Sequence, residues 1–233
     1  MQDFPLLIKF IDAKDNLSVQ VHPDDDYALE NENEYGKNEM WYVIDSEPGV
    51  GLYVGFNRDV DRAEVEQRVA DNTILEIMNF YPTKPGDVFF IPAGTVHAIG
   101  AGNLICEIQQ SSNCTYRLYD YDCRDKFGNP RELHMEKVLD VLNYQKYEPV
   151  ELEEEDGKIR CKYFEVQLLN VEGEKVIPLS DDSFYSAVCI KGNGIIRVED
   201  KAITTYAGEA TFIPATNATL TIDGNMSLFV IQI

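Results

Sequence analysis

Short apolar runs bounded by turn residues recur along this chain, at 41–44 (Trp-Tyr-Val-Ile), 51–54 (Gly-Leu-Tyr-Val), 87–91 (Asp-Val-Phe-Phe-Ile) and 104–108 (Leu-Ile-Cys-Glu-Ile). They are rich in β-branched and aromatic residues, and Glu47-Pro48-Gly49 and Pro85-Gly86-Asp87 supply turns between them. Strands this short and this regularly spaced predict an all-β chain, a sandwich or jelly-roll barrel rather than βαβ units. The run 4–11 (Phe-Pro-Leu-Leu-Ile-Lys-Phe-Ile) reads as a further, buried strand. Three stretches break the strand pattern and read as surface helices. The first, 24–34, follows a proline and is acidic at its start, which suits a helix N-terminus. The second, 59–69, sets Val60, Ala63, Val65 and Val69 in a charged run, and the third, 131–142, carries Leu133, Val138, Leu139 and Leu142 at helical spacing.

A boundary falls near 144–158, where the acidic run 151–157 (Glu-Leu-Glu-Glu-Glu-Asp-Gly) reads as a solvated linker, and the strand pattern restarts at 161–166. The chain is therefore expected to hold two domains, 1–145 and 146–233. The two halves share a pattern. Gly86-Asp87-Val88-Phe89-Phe90-Ile91-Pro92-Ala93-Gly94-Thr95-Val96-His97 lines up with Gly208-Glu209-Ala210-Thr211-Phe212-Ile213-Pro214-Ala215-Thr216-Asn217-Ala218-Thr219, which predicts an internal repeat of one barrel. His97 has become Thr219, and 144–233 contain no histidine. The second barrel is expected to lack metal and to serve packing or assembly.

Charge narrows the partners. Twenty Lys and Arg against 41 Asp and Glu leave a formal net charge of −21, which repels phosphodiester backbones and anionic lipid and argues against nucleic acid and membrane. No apolar run approaches the roughly 18 residues of a membrane span, and no signal peptide opens the chain. Five cysteines, an odd number without a C-x-x-C pair, read as reduced thiols of a cytoplasmic protein.

The candidate chemistry lies in three short segments. The chain holds three histidines, and His22 (in Gln20-Val21-His22-Pro23-Asp24) and His97 sit in strand-like, turn-bounded segments, as does Glu39. Neutral imidazole with carboxylate is the ligand set of a catalytic zinc site with one open position. Gln20 and His22, two apart, leave the same face of a strand. The plainer alternative is two buried, hydrogen-bonded histidines near an exposed glutamate. His134, on the third helical stretch, reads as structural.

The element Gly86-Asp87 to Pro92, Gly94 and His97 resembles the second metal motif of the cupins, a double-stranded β-helix superfamily. With Leu6-Leu7-Ile8-Lys9, 18–25 (Ser-Val-Gln-Val-His-Pro-Asp-Asp), 36–42 (Gly-Lys-Asn-Glu-Met-Trp-Tyr), 92–98 (Pro-Ala-Gly-Thr-Val-His-Ala) and 115–121 (Thr-Tyr-Arg-Leu-Tyr-Asp-Tyr), the whole chain resembles the type I mannose-6-phosphate isomerases, in their short bacterial form with two cupin barrels. The resemblance implies that His22, Glu39 and His97 bind a catalytic Zn2+, with Gln20 as a fourth ligand. It implies that Arg117 is an active-site arginine, the alternative being a surface ion pair with Asp120 or Asp122. Glu107 matches a carboxylate placed ten residues before that arginine, a proton-transfer candidate. Lys37, two before Glu39, reads as phosphate or proton handling or as a solvated lysine. The implied substrate is a small sugar phosphate and the implied reaction an aldose–ketose isomerisation through an enediol(ate), with Arg117 either stabilising charge or anchoring phosphate. Family members usually carry further residues before the segment that opens this chain. Their absence here implies a reduced pocket wall and an exposed edge strand suited to a homodimer. A catalytically weak sugar-phosphate-binding cupin and an iron-dependent cupin oxygenase are the alternative functions.

Overall fold

The computed structural model describes residues 4–124, 126–149, 153–155 and 158–233, and divides into two units, Met1–Val150 and Glu151–Ile233. In the first, the strands are β1 (Leu6–Ala13), β2 (Val19–Val21), β3 (Glu39–Ser46), β4 (Gly51–Phe56), β5 (Met78–Pro82), β6 (Val88–Ile91), β7 (His97–Ile99), β8 (Asn103–Gln110) and β9 (Tyr116–Tyr119). They form two antiparallel sheets, ordered β1-β8-β3-β6 and β5-β4-β7-β2-β9. Alternation along each strand sends one set of side chains inward. Ala13, Trp41, Leu52, Val54, Ile91, Ile99 and Ile105 meet there as one apolar cluster drawn from both sheets. On the second sheet the opposite face carries Val19, Val21, Ala98, Tyr116 and Leu118, which pack against Val65, Ile74, Ile77, Val138 and Leu139. That face is thus covered by helices and turns rather than by water.

Three helices stand where the sequence predicts them, with shorter bounds: α1 (Asp25–Glu32), α2 (Arg62–Ala70) and α3 (Met135–Val141). Asp24 and Asp61 cap the first two, their carboxylates accepting from the amides of Tyr27 and Glu64. The third starts four residues later than predicted, because the preceding segment pairs with β9 instead. The amide of His134 donates to the Arg117 carbonyl, and the Arg117 amide donates back to His134 Nδ1. His134 is therefore structural. The expected buried strand at 4–11 is an edge strand, β1, hydrogen-bonded only to β8, with Phe10 39% exposed.

In the second unit the strands are β10 (Glu153–Glu155), β11 (Lys158–Arg160), β12 (Glu165–Pro178), β13 (Tyr185–Val198), β14 (Lys201–Tyr206), β15 (Ala210–Ile213) and β16 (Thr219–Gln232). The sheet runs β10-β11-β12-β16-β13-β14, with β15 on β13. Of the expected linker 151–157 only β10 lies within the described residues. The strand expected at 161–166 begins instead at Glu165, because the Cys161 amide donates to the Phe164 carbonyl and closes a turn.

The sequence repeat is a repeat of structure. Gly86 and Gly208 both adopt positive φ, 97° and 91°, and each leads into a four-residue strand, β6 or β15. His97 and Thr219 each open the next strand. The pairings correspond as well, Glu39 lying opposite Ile91 and Tyr185 opposite Ile213, Gln20 opposite His97 and Pro178 opposite Thr219. The frame positions of His22, Glu39 and His97 are therefore held in the second unit by Ser180, Tyr185 and Thr219. There the Tyr185 hydroxyl accepts from the Ser180 amide at 3.0 Å.

Burial orders the thiols. Cys106, Cys114 and Cys189 are buried, Cys161 is intermediate and Cys123 is exposed; burial pushes the Cys106 thiol up to about 12. Native protein at pH 8 should therefore lose one thiol quickly to a disulfide reagent, and Cys123→Ser should abolish that fast phase. A fast phase that survives the substitution would contradict this burial order.

Candidate metal centre

Val19 and Val21 of β2 face the helix-covered side of the second sheet, so Gln20 and His22, one residue either side of Val21, face the barrel interior. β3 begins at Glu39 and β7 begins at His97, and the two sheets bring these three strand ends together. One ligand atom from each of His22, Glu39 and His97 lies within 4.8 Å of the others, and all three residues are buried. The alternative of an exposed glutamate does not hold, since Glu39 is 0% exposed.

The hydrogen bonds define which ring nitrogen is which. His22 Nδ1 lies 2.9 Å from the Cys114 carbonyl oxygen and His97 Nδ1 lies 2.8 Å from the Thr95 carbonyl oxygen. A carbonyl only accepts, so each Nδ1 carries the proton and each Nε2 presents a lone pair. Those lone pairs point at a carboxylate. His97 Nε2 is 3.3 Å from Glu39 Oε1, and His22 Nε2 is 3.5 Å from Glu39 Oε2. Acceptor faces acceptor, and neither His97 Nε2 nor Glu39 Oε1 has a hydrogen-bond partner among the described residues. Burial drives the His22 imidazolium pKa down to about 4 and also lowers that of His97, so both rings are neutral near pH 7. Burial opposes ionisation of Glu39 too, yet the Lys37 ammonium beside it holds its carboxyl well below the usual range. Two neutral imidazoles and one carboxylate with orphaned lone pairs form a donor set that fits a divalent cation such as zinc.

Among the described residues, Lys37 is the cation in direct contact with the cluster. It is 3% exposed, so it is not a solvated lysine; it precedes β3 rather than lying on it, and its Nζ bonds Glu39 Oε2 and, at 2.8 Å, His22 Nε2. The turn that delivers it needs glycine at 36, since a Cβ there would stand 2.4 Å from the Asp24 carbonyl carbon. Gln20 is half-buried, and its Cα pairs with that of His97 on one side and Arg117 on the other, which puts all three side chains on one face.

Glu107 points inward as well. Lys9, Glu107, Trp41 and Phe89 stand in register across β1, β8, β3 and β6, one pleat from the row that holds Glu39. Its carboxylate accepts from Trp41 Nε1 at 3.1 Å and Lys9 Nζ at 2.8 Å, and the Trp41 ring meets the His97 ring edge-on at 5.3 Å. Lys9 thus reaches the site, a role that no sequence reasoning assigned. The available signal was a single lysine inside an apolar strand. Arg117 bonds no member of the His-Glu-His cluster among the described residues. Its Nη1 donates to the Glu132 carbonyl at 2.9 Å, and its Nε lies 3.9 Å from Asp120. Both oxygens of Asp120 are held by one edge of the Arg131 guanidinium, Nε and Nη2, so the suggested Arg117–Asp120 pair is secondary.

A two-sheet barrel with histidines and a carboxylate at converging strand ends is the cupin arrangement. The family model described as the mannose-6-phosphate isomerase cupin domain matches residues 155–233. A mannose-6-phosphate isomerase of Streptococcus mutans is 37% identical over 233 residues, covering 97% of this chain and 73% of that protein. The mannose-6-phosphate isomerase ManA of Bacillus subtilis is 42% identical over 200 residues, 82% of this chain and 63% of that protein. The crystal structure of the mannose 6-phosphate isomerase from Bacillus subtilis matches with a TM-score of 0.87 at 35% identity, over 99% of this chain and 76% of that one. The chain belongs to the mannose-6-phosphate isomerase family, and it is an isomerase.

Trp41→Phe removes the indole donor from a buried carboxylate while keeping most of the ring volume. It should cost roughly 1–3 kcal/mol of stability in urea unfolding followed by circular dichroism. An unchanged midpoint would mean that Lys9 alone supports Glu107.

Proposed function

We propose that this isomerase interconverts mannose 6-phosphate and fructose 6-phosphate, with a zinc ion held by His22, Glu39 and His97 and with Gln20 as fourth ligand. The observation that carries the metal is the convergence of two Nε2 atoms on the Glu39 carboxylate, with Glu39 Oε1 and His97 Nε2 left without a hydrogen-bond partner among the described residues and each imidazole oriented by a backbone carbonyl. The substrate follows from the names of the relatives. A zinc ion, when bound, supplies Lewis-acid stabilisation for the oxygen charge that develops in an enediol(ate). Glu107 takes the proton from C2 of the aldose and returns it to C1, while the O2 hydroxyl proton passes to O1. Its inward aim and its contacts with Trp41 and Lys9 support that assignment. Lys37, against His22 and Glu39, handles the proton that passes between the oxygens. Arg117, whose Nε is buried without a hydrogen-bond partner among the described residues, supplies positive charge for the anionic substrate. The second unit, which contains no histidine, is read as a cupin barrel without metal.

Three measurements test this reading. Trp41 is the only tryptophan, so Co2+ bound beside the neighbouring His97 ring should quench its emission, and His97→Gln should remove the quenching. Emission that ignores Co2+ would argue against the metal site. The zinc-loaded chain should convert mannose 6-phosphate to fructose 6-phosphate, lose this on chelation and regain it with zinc. Glu107→Gln should stop exchange of the C2 proton with zinc still bound. Stoichiometric zinc without turnover would replace the enzyme reading with that of a sugar-phosphate-binding cupin.

A further inference from the structure

The turn that carries Lys37 is held by side chains remote from the reacting groups, and the holding bonds meet at one residue. The carboxamide oxygen of Gln110, at the end of β8, accepts both the backbone amide of Asn38 at 2.9 Å and its side-chain amide at 2.8 Å. The Gln110 Nε2 donates to Asp25 Oδ1 at 3.0 Å, and the same oxygen accepts the amide of Gly36, also at 3.0 Å. Asn38 Oδ1 then accepts the amide of Ala93, in the loop that leads to His97, at 3.0 Å. Two residues beyond Gln110, Ser112 Oγ donates to the Tyr35 carbonyl at 2.6 Å and accepts the amide of Cys114, whose carbonyl orients His22. Gln110 and Asn38 are buried, so the two bonds between them are shielded from water and costly to leave unmade, while those to Asp25 and Ala93 are partly buried.

We propose that Gln110 is a positioning residue: its carboxamide clamps the 36–38 turn between β8 and the start of α1, and so keeps Lys37 beside the His22–Glu39–His97 cluster. The proposal rests on the reading that Lys37 belongs to the reacting site. The clamp is chemically directional. Toward Asn38 Gln110 must accept, and toward Asp25 it must donate. A carboxylate at 110 keeps the first role and turns the second into a repulsion with Asp25. Neutralising Asp25 removes that repulsion.

The test uses the zinc-loaded chain and two readouts. The first is acetic anhydride labelling of Lys37, located by peptide mass spectrometry against exposed Lys146. The second is steady-state kinetics with mannose 6-phosphate. In Gln110→Glu, labelling of Lys37 should rise about tenfold, the equilibrium equivalent of one lost hydrogen bond. kcat should fall by a similar factor while KM and zinc stoichiometry hold, and adding Asp25→Asn should bring labelling and kcat back toward the starting values. A merely structural glutamine would not be rescued by a change of charge at its partner. Unchanged Lys37 protection and unchanged kcat in folded Gln110→Glu would overturn the proposal. Should that variant not fold, Asn38→Asp, which still accepts from Ala93 but loses its donation to Gln110, is read by the same two measurements. A parent chain that shows the labelling contrast without turnover would leave the clamp standing and overturn the isomerase mechanism instead.

Discussion

A carboxylate with no exposure to water is the constraint around which the first barrel is organised. Removing an isolated carboxylate from water is prohibitive unless donors or cations replace the lost hydration. Glu39 has one ammonium against one oxygen and an imidazole lone pair against the other, an arrangement that calls for further positive charge. The backbone enforces this meeting. β2, β3 and β7 all present their ends to one spot, and carbonyls of Cys114 and Thr95 hold each imidazole so that it can only accept. The site is therefore written as much in main-chain hydrogen bonds as in its three ligand side chains.

Charge is distributed to match. Across the chain, acidic groups exceed basic ones by 21, a background that repels an anionic substrate. Lys9, Lys37 and Arg117 are exceptions, each engaged on an inward-facing row of the barrel or in contact with it. Arg131 contributes indirectly, since its hold on Asp120 keeps that carboxylate from neutralising Arg117. In the second unit the same frame positions carry Ser180, Tyr185 and Thr219. Where the first barrel sets a carboxylate and imidazoles, the second sets a phenol that accepts from a backbone amide.

Much was legible along the chain because it is governed by local rules. Short apolar runs between Gly and Pro turns mark β3, β4, β6 and β8; the acidic stretch after Pro23 marks the start of α1; and Phe-Ile-Pro-Ala at 90–93 and 212–215 marks the repeat. The candidate ligand residues were visible as types and spacings, since Gln20 and His22 share a strand face whatever surrounds them. The elements that went astray did so where long-range pairing overrode local pattern. α3 is shortened by the bonds between His134 and β9, and β1 lies at a sheet edge although its run of apolar residues suggested full burial.

Lys9 and Glu107 stand 98 residues apart, Trp41 and Glu107 66 apart, and Asn38 and Gln110 72 apart. Nothing in the local sequence connects such partners; only the register of β1, β8 and β3 does. The sequence by itself determined the strand faces, the repeat, the acidic surface and the identity of the metal-ligand types, because each depends on periodicity or on side-chain chemistry alone. Tertiary structure decided that Glu39 is buried, that each imidazole offers Nε2, that Lys37 is enclosed and that Gln110 holds its turn. Those properties arise from which distant groups fill a donor's or acceptor's remaining valence, and that is settled only when the sheets close.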